Sequence, residues 1–286
     1  MSQSPPKTTL PDGLRETARD IRVMVVESLA LAGSGHLGVS LGLADLLTYL
    51  YFSRMNHRPS EPQWPERDRL ILSIGHVAPV LYAALAKAGY FPVEEMHSLR
   101  KLGSRLQGHP ARDKGLPGIE ISSGSLGQGL SVATGLALAN RLDGRKSRVY
   151  CVHGDGELQE GSVWEALMSA AHYRLDNLFL LIDRNDLQID GPTETVMGLE
   201  PLTDKLRAFG WAAEECNGND FRSIHMAFGR LDSLADSRPR ALIARTRMGC
   251  GVGDIENSFA WHGAVPRPDQ VESFIQQIHE SYLRAR

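Results

Sequence analysis

Apolar residues recur at helical spacing in several separate stretches of the chain. The first stretch begins at Leu14 and runs to Leu29, and Gly33 follows it as a closing glycine. The same spacing predicts further helices over residues 41–52, 79–88, a stretch ending at 142, 163–173, 221–234 and 269–283. The last helix is amphipathic, and we interpret it as a packed closing helix, with a docking helix for another chain as the less favoured alternative.

Short apolar runs lie between these helices and are typical of strands. They occupy residues 69–74, 119–122, 148–153, 178–183, 211–216 and 241–246. The run over 178–183 is almost continuously apolar, as in a strand that is covered on both faces. Strands that alternate with helices predict a doubly wound α/β fold, with a mostly parallel sheet and helices on both faces.

The chain is predicted to form one domain. No linker rich in proline, serine or charge interrupts residues 14–266, and no internal repeat is visible. We therefore expect a domain over residues 14–266, a flexible N-terminal segment over residues 1–13, and a closing or docking helix over residues 267–286.

Composition excludes several classes of protein. Of the 286 residues, 42% are hydrophobic, which is ample for a core. The net charge is −3, so neither nucleic acid nor an anionic membrane is expected as a partner. The chain lacks an apolar run of about 20 residues and a signal-peptide core near its start, so we expect a cytoplasmic location.

Cysteine and glycine usage points to a ligand site without zinc or disulfides. Only three cysteines occur, without a Cys-x-x-Cys pair; Cys151 is expected in the core, while Cys250 could be an exposed, reactive thiol in a glycine-rich loop. The 28 glycines cluster in loops that follow the predicted strands. In open α/β sheets, ligands bind outside the carboxyl ends of the strands.

The most specific local signal is Gly154-Asp155-Gly156, answered by Asn185 after the next strand. The crossover brings carboxylate and carboxamide oxygens together, and Mg²⁺ that clamps a diphosphate prefers such ligands. The two glycines let a backbone N–H and the following helix face the same phosphate. The alternative is an ordinary strand-to-helix turn in which Asp155 caps the helix. In a polar loop, Asp155 is expected to add little to the stability of the metal-free chain.

Several motifs in sequence order resemble the transketolase family. Gly154-Asp155-Gly156 with Asn185 resembles the thiamine diphosphate motif, and the residues around Glu160 and Glu165 resemble its transketolase version. The further matching blocks are Ser34-Gly35-His36, Gly75-His76, Gly108-His109-Pro110, Gly124-Ser125-Leu126-Gly127-Gln128-Gly129 and Trp261-His262-Gly263. The phrase over residues 185–194 is especially similar to the N-terminal subunit of split, two-chain transketolases.

The resemblance implies a role for each matching residue. Asp155, Asn185 and the backbone oxygen of Leu187 would bind Mg²⁺, or another divalent cation such as Ca²⁺ or Mn²⁺. The residues implied to contact thiamine diphosphate are His76, Gly124, Ser125, Leu126, Gly156, Asn185 and His262. The residues implied as catalytic are His36, His76, His109 and His262, which would bind sugar hydroxyls or move protons above the thiazolium ring.

Two further carboxylates and one histidine have separate interpretations. Glu160 and Glu165 resemble a pair that faces its symmetry mate, which implies self-association across this face and coupled titration. His153 stands where the family usually has an apolar residue, and we expect a hydrogen-bonded core histidine there.

The chain departs from the family pattern at three places. Leu37 replaces a frequent proline, and Ser125 replaces the proline of many full-length members. Residues 247–252 read Arg-Met-Gly-Cys-Gly-Val where split subunits commonly carry Lys-Gly-Lys-Gly-Val. Loss of the lysine charges is expected to alter diphosphate affinity or substrate preference, which bears on the identity of the substrate and not on that of the cofactor.

The resemblance also implies a partner chain. In transketolases, the glutamate that activates the cofactor and most arginines that bind the sugar phosphate lie in the domain after this one. We therefore expect a two-plus-two assembly with a separate C-terminal transketolase subunit, sugar phosphates as substrates and ketol transfer as the reaction.

Three alternatives stay open. A 1-deoxyxylulose-phosphate synthase-like or keto-acid-dehydrogenase-like protein is disfavoured by residues 124–129 and the Trp-His-Gly block. A module that binds cofactor without turnover is supported only by residues 247–252. A nicotinamide-binding domain is disfavoured because residues 124–129 lack the required glycine spacing.

Overall fold

Seven strands form the sheets of this computed structural model, which describes residues 10–284. They are β1 (Arg69–Leu72), β2 (Val149–Gly154), β3 (Leu178–Arg184), β4 (Leu187–Gln188), β5 (Gly191–Pro192), β6 (Ala212–Asn217) and β7 (Arg240–Arg245). Five of them form a parallel sheet in the order β1-β2-β3-β7-β6. The short β4 and β5 pair antiparallel in a separate hairpin.

Ten α-helices surround the sheet within the described residues. They are α1 (Leu14–Ala32), α2 (Leu37–Gly42), α3 (Ala44–Tyr49), α4 (Ala78–Lys87), α5 (Gly129–Leu142), α6 (Gly161–His172), α7 (Thr193–Val196), α8 (Leu202–Ala208), α9 (Phe221–Asp232) and α10 (Val271–Arg284). A π-helical turn, Leu50–Arg54, continues α3, and short 3-10 helices include Gly75–Val77, Gly156–Gln159 and Phe259–Trp261.

The two faces of the sheet bury separate apolar cores. Along β3, Phe179 and Leu181 join the core that contains α1 to α4, α9 and α10. The alternate residues Leu178, Leu180 and Ile182 join the core formed with α5, α6 and α8. Because successive side chains of a strand point to opposite faces, both faces of β3 are buried. The predicted fold class is confirmed.

Some predicted elements agree with the structure and others are corrected by it. Helix α1 ends at Gly33, whose left-handed backbone (φ 65°) lets its N–H donate to Leu29 O at 3.0 Å. The predicted strand over 119–122 is wrong. Ile119 is buried like a strand residue, but its N–H donates to Leu116 O in a turn, and Glu120 bonds to Arg67.

The predicted helix over 41–52 begins earlier and is interrupted. Helices α2 and α3 meet at Leu43, and α2 packs against a loop that includes Arg247 and Trp261. A Cβ on Gly38 would lie 2.8 Å from Trp261 O, and a Cβ on Gly42 would lie 3.0 Å from Arg247 O. The two glycines therefore permit a close backbone approach that helical periodicity does not reveal.

The C-terminal helix α10 packs on α1. Its Phe274 and Ile278 are buried in the core that α1 shares. Of the N-terminal segment predicted over residues 1–13, residues 1–9 lie outside the described residues. The last two residues of the chain also lie outside them. Within residues 10–284, no helix combines the length and apolarity needed to cross a membrane.

Candidate cofactor site

Three histidines from distant parts of the chain meet at the carboxyl edge of the sheet. His36 precedes α2, His76 follows β1, and His262 follows the 3-10 helix Phe259–Trp261. The ring centroids of His36 and His76 are 4.7 Å apart, those of His36 and His262 are 5.8 Å apart, and those of His76 and His262 are 5.5 Å apart. We call these three residues the histidine cluster.

His109 lies beside the glycine loop, which we define as residues 124–129. A Cβ on Gly124 would be 3.1 Å from His109 Cδ2. A Cβ on Gly75 would be 2.9 Å from the Cα and N of Gly124, so the turn before His76 touches the loop backbone directly. Ser125 is exposed and Leu126 is half-buried against the core.

The histidines of this region are held in their neutral form. Burial lowers the pKa of His76 to about 3, and the neighbouring His36 and His262 add to this effect. Burial likewise lowers the pKa of His36 to about 4, followed by the effect of His262. The pKa of His262 is lowered by burial, and that of His109 by burial and Arg100. Each neutral imidazole offers one donor and one acceptor to a bound ligand.

Buried polar atoms without hydrogen-bond partners lie in the histidine cluster and next to the glycine loop. His36 Nδ1, His262 Nδ1 and Ser123 Oγ are buried and have no hydrogen-bond partner among residues 10–284. Buried polar atoms are normally hydrogen-bonded. Their lack of partners fits a polar ligand that spans the histidine cluster and the glycine loop.

The carboxylate of Asp155 is buried and uses its two oxygens differently. Asp155 Oδ2 accepts from Arg184 Nη1 at 3.0 Å, from the Asp186 N–H at 2.8 Å and from Thr193 Oγ1 at 3.3 Å. Oδ1 accepts only from the Gly156 N–H, at 2.7 Å, among the contacts within residues 10–284. Oδ1 is therefore the oxygen with a lone pair left for a metal ion.

The other two predicted metal ligands are Asn185 and Leu187, which flank Asp186. Because the Asp186 N–H donates to Asp155 Oδ2, the structure brings all three predicted ligands together. Asn185 donates from Nδ2 to Asp183 Oδ2 at 2.8 Å, and its Oδ1 accepts from the Leu187 N–H at 3.0 Å. A carboxamide oxygen has a second lone pair, so Asn185 Oδ1 can still bind a cation. Asp186 itself adopts a left-handed backbone (φ 64°), which turns the chain at this point.

The donor set fits a hard divalent cation. No group of three His, Cys, Asp or Glu side chains within the described chain could hold a metal. A metal here depends instead on one carboxylate, one carboxamide and a main-chain oxygen, which is an oxygen set that Mg²⁺ accepts. The capping alternative is also seen, because Asp155 caps the 3-10 helix Gly156–Gln159 through the Gly156 N–H.

Burial and Arg184 shift the pKa of Asp155 in opposite directions. Burial raises the pKa of Asp155, while Arg184 and two backbone N–H groups oppose the rise. The Arg184 side chain is 1% exposed and also donates to Glu194 Oε1 at 2.6 Å and Glu200 Oε1 at 3.2 Å. Asp155 is therefore buried and ion-paired with Arg184, and does not lie in a solvent-exposed polar loop.

A second buried carboxylate, Glu157, lies next to the Asp155 turn. It accepts from Ser73 Oγ at 2.5 Å and from the Gly127 N–H at 2.8 Å. His153 is fully buried, and its Nδ1 lies 3.0 Å from Glu157 Oε2 without the alignment of a hydrogen bond. Burial raises the pKa of Glu157, but His153 and the hydrogen bonds together lower it by more. The pKa of Glu157 therefore lies below the usual range.

The remaining predicted residues lie outside this cluster. Glu160 precedes α6 and Glu165 lies on it, and both are exposed. Cys250 is buried and burial raises the pKa of its thiol, so the suggestion of an exposed, reactive thiol is wrong. Cys151 is fully buried, as predicted.

Sequence reasoning did not find four residues that shape the site. Arg184 and Glu157 make the contacts described above. The Gln188 side chain lies over Gly156, where an added Cβ would be 3.3 Å from Gln188 Cδ. The guanidinium of Arg100 packs on Gly108, beside His109. For Glu157, Arg184 and Gln188 the available signal was their position next to motif residues, and for Arg100 there was none in the sequence.

Comparison with known proteins gives consistent similarities. A family described as "Transketolase, thiamine diphosphate binding domain" matches residues 14–280. An apulose-4-phosphate transketolase subunit from Actinobacillus succinogenes is 41% identical over 272 residues, covering 94% of this chain and 97% of that protein. A 6-deoxy-6-sulfo-D-fructose transketolase subunit from Clostridium sp. is 42% identical over 249 residues, covering 87% and 90%.

Solved structures of longer chains share the fold. The transketolase from Leishmania mexicana superposes with a TM-score of 0.86 at 30% identity, covering 94% of this chain and 41% of that one. The transketolase from Campylobacter jejuni superposes with a TM-score of 0.82 at 30% identity, covering 96% and 48%. The chain thus spans less than half of each solved transketolase and nearly all of the Actinobacillus protein.

Proposed function

Since the chain belongs to the transketolase family and carries its thiamine diphosphate-binding domain, we propose that it is the N-terminal subunit of a two-chain transketolase. It would transfer a two-carbon ketol unit between sugar phosphates. The observation that supports this function best is the meeting of the histidine cluster, the glycine loop and the Asp155 turn at one edge of the sheet.

Mg²⁺, or Ca²⁺ or Mn²⁺ in its place, would bind Asp155 Oδ1, Asn185 Oδ1 and the Leu187 carbonyl. The unused lone pair of Asp155 Oδ1 supports this assignment. The diphosphate would receive hydrogen bonds from His76 and His262, and from the Gly156 N–H if that donor turned from Asp155 Oδ1 when Oδ1 binds the metal ion.

The glycine loop would receive the rings of the cofactor. Gly124, Ser125 and Leu126 would contact them, since the loop backbone lies against His109 and Ser125 is exposed. Thiamine diphosphate supplies the electron sink that cleavage of a carbon–carbon bond beside a carbonyl requires.

The histidines would act on the sugar. His36, His109 and His262 would bind its hydroxyl groups and accept or return protons from them. Neutral imidazoles suit both tasks, since one ring nitrogen accepts while the other donates. The lowered pKa values of all three keep them neutral at physiological pH.

A separate C-terminal transketolase subunit would complete the site. Similar proteins from two organisms are named as single subunits of an apulose-4-phosphate transketolase, which supports a second chain. Large apolar side chains are exposed on the loops and short helices that precede or follow site residues, as a partner surface requires. They are Leu102, Ile189, Val196, Met197 and Phe259.

Two copies of the chain would meet across the face that carries Glu160 and Glu165. On the same helix, Met168 is 56% exposed, and Val132 on the neighbouring α5 is 43% exposed. These apolar side chains support an interface there, and a two-plus-two assembly would follow.

A cytoplasmic location remains a prediction of the sequence.

The substrates would be anionic sugars. Relatives are named for apulose-4-phosphate and for 6-deoxy-6-sulfo-D-fructose, which carry phosphate and sulfonate groups. Arg100 supplies positive charge next to His109. This charge supports a phosphate-bearing sugar.

Mixing separately purified chains tests the function. The chain is combined with the C-terminal transketolase subunit of the same organism, Mg²⁺, thiamine diphosphate, a ketose phosphate and an aldose phosphate. We expect ketol transfer from the mixture and not from either chain alone. A single chain that works at the rate of the mixture contradicts the two-chain assignment. Cofactor binding without turnover in the mixture supports the non-catalytic alternative.

A matched pair of histidine variants tests the site within this assay. His262→Asn is expected to lower turnover by about a hundredfold, because it removes a group that donates or moves a proton. His279→Asn changes an exposed histidine on α10 and should leave the rate unchanged. Equal rates for the two variants would remove His262 from the mechanism.

A further inference from the structure

The carboxylate of Glu157 receives donors from three separate segments. Oε1 accepts from Ser73 Oγ at 2.5 Å and from the Gly127 N–H at 2.8 Å. Oε2 accepts from the Gly154 N–H at 3.3 Å. Ser73 Oγ in turn accepts from the Gly129 N–H at 3.0 Å, which adds a second bond to the glycine loop.

Each of these segments carries residues of the candidate site. Ser73 stands two residues before Gly75, whose backbone touches Gly124. Gly127 and Gly129 belong to the glycine loop, and Gly154 begins the turn that contains Asp155. One buried side chain therefore connects the turn before His76, the glycine loop and the Asp155 turn.

His153 completes the surroundings of this carboxylate. Its Nδ1 lies 3.0 Å from Glu157 Oε2, and both side chains are fully buried. Removing two ionisable groups from water is costly, and an apolar pair at such a position is often as stable. The pair is better explained by a requirement for geometry than by a contribution to stability.

The glycine loop needs such a restraint. Gly127 has a left-handed backbone (φ 79°), and an added Cβ would lie 2.7 Å from Glu160 Cβ. Glycine is required at this point, yet glycine also leaves the backbone free to sample many conformations. A fixed acceptor for the Gly127 N–H selects one of them.

We propose that Glu157 is a positioning residue that fixes the glycine loop to the Asp155 turn, so that the ring side and the diphosphate side of the cofactor site form one rigid unit. The Gly154 N–H donates to the second oxygen of the carboxylate, and His153 packs against that oxygen. The geometry concerns the chain alone, and only the cofactor measurement below rests on the proposed function.

Amide hydrogen exchange of the chain without cofactor is the first test. Glu157→Ala should speed exchange at Gly127 by about tenfold, the equivalent of one hydrogen bond to a charged group. Asp68→Ala is the matched control, because Asp68 is also buried and accepts two backbone N–H groups, from Asn56 and Arg148, at the opposite edge of the sheet. It should leave exchange at Gly127 unchanged.

Affinity for Mg²⁺ and thiamine diphosphate, measured by calorimetry on the assembled two-chain complex, is the second test. Glu157→Ala should weaken binding by about tenfold, and Asp68→Ala should not. Glu157→Gln keeps one oxygen for Ser73 and Gly127, so it should recover most of the affinity. This recovery would distinguish a positioning role from a general loss of stability. Glu157→Gln also provides the test if Glu157→Ala does not fold.

The outcomes separate the two proposals. Unchanged exchange at Gly127 in Glu157→Ala overturns the role of Glu157, whatever the cofactor result. Equal loss of affinity in Asp68→Ala also overturns it, because the effect is then one of stability. If exchange quickens but the wild-type complex binds no thiamine diphosphate, the positioning role stands and the proposed function fails.

Discussion

Asp155→Asn separates the structural role of Asp155 from its proposed role as a metal ligand. The substitution keeps the shape of the side chain and removes its charge. The carboxylate accepts from Gly156 through Oδ1 and from Arg184 and Asp186 through Oδ2. An asparagine has only one acceptor oxygen, so its amide group must face either the Gly156 N–H or the Arg184 guanidinium.

The cost to the metal-free chain follows from these contacts. Hydrogen bonds to a buried charged group contribute about 1.5–3 kcal/mol each, and the cost of burying the carboxylate offsets part of this. Arg184 keeps Glu194 and Glu200 as partners. We expect the free energy of unfolding to fall by about 2 kcal/mol, which lowers the melting temperature by roughly 4–8 °C for a domain of this size.

Thermal unfolding with and without Mg²⁺ and thiamine diphosphate measures both roles. A ligand at a hundredfold excess over its Kd stabilises the wild type by about 2.7 kcal/mol, and Asp155→Asn should show almost none of this shift. Asp186→Asn is the control, because its side chain is 56% exposed in the same loop. It should keep the full shift and lose less than about 1 kcal/mol without ligand.

Two results would refute this reasoning. An unchanged melting temperature for metal-free Asp155→Asn would mean that the buried contact with Arg184 contributes nothing to stability. A full ligand shift in Asp155→Asn would remove Asp155 from the metal site, even if the apo protein were destabilised.

Two further predictions follow from the same region. The folded-state pKa values of His36 (about 4) and His76 (about 3) lie below the ordinary value of 6.5, so the unfolded chain binds more protons below pH 6.5 and stability falls as the pH falls. Urea unfolding at pH 7 and pH 5 should show a loss of about 1 kcal/mol for each histidine after solvent screening, and His36→Asn should reduce that loss. Gly129→Ala places a Cβ 2.4 Å from Ser73 Cβ and should cost about 2 kcal/mol, whereas Gly135→Ala, in open space on the same helix, should stabilise by up to about 1 kcal/mol. Equal effects of the two alanines in urea unfolding would contradict this packing.

The elements that the sequence predicts well are those with a local cause. The continuous apolar run over 178–183 becomes β3 because both faces of the central strand are buried. Gly33 ends α1 because only a left-handed residue closes the helix there. Ile119 misleads because an apolar side chain can be buried from a turn as well as from a strand, and periodicity does not distinguish the two.

The candidate site was predictable to the extent that its residues stand in motifs. The histidine cluster unites three sequence blocks, and Asp155 and Asn185 meet because β2 and β3 are neighbours in a parallel sheet. Arg184 was not predictable, because its four carboxylate neighbours come from separate segments of the chain. Which donor meets which carboxylate depends on tertiary packing, and no local pattern encodes it.

His153 shows how a local exception can still point to such packing. A histidine inside an otherwise apolar strand contradicts the pattern of that strand, and sequence reasoning predicts a hydrogen-bonded core histidine. The core position is confirmed, but neither ring nitrogen has a hydrogen-bond partner among residues 10–284; Nδ1 lies 3.0 Å from Glu157 Oε2, four residues later, beyond the Asp155 turn. Because Glu157 also receives the Gly127 N–H, the polar residue in the strand lies where the glycine loop is joined to the sheet. Local rules are expected to fail at functional sites, and here the failure lies beside the predicted cofactor.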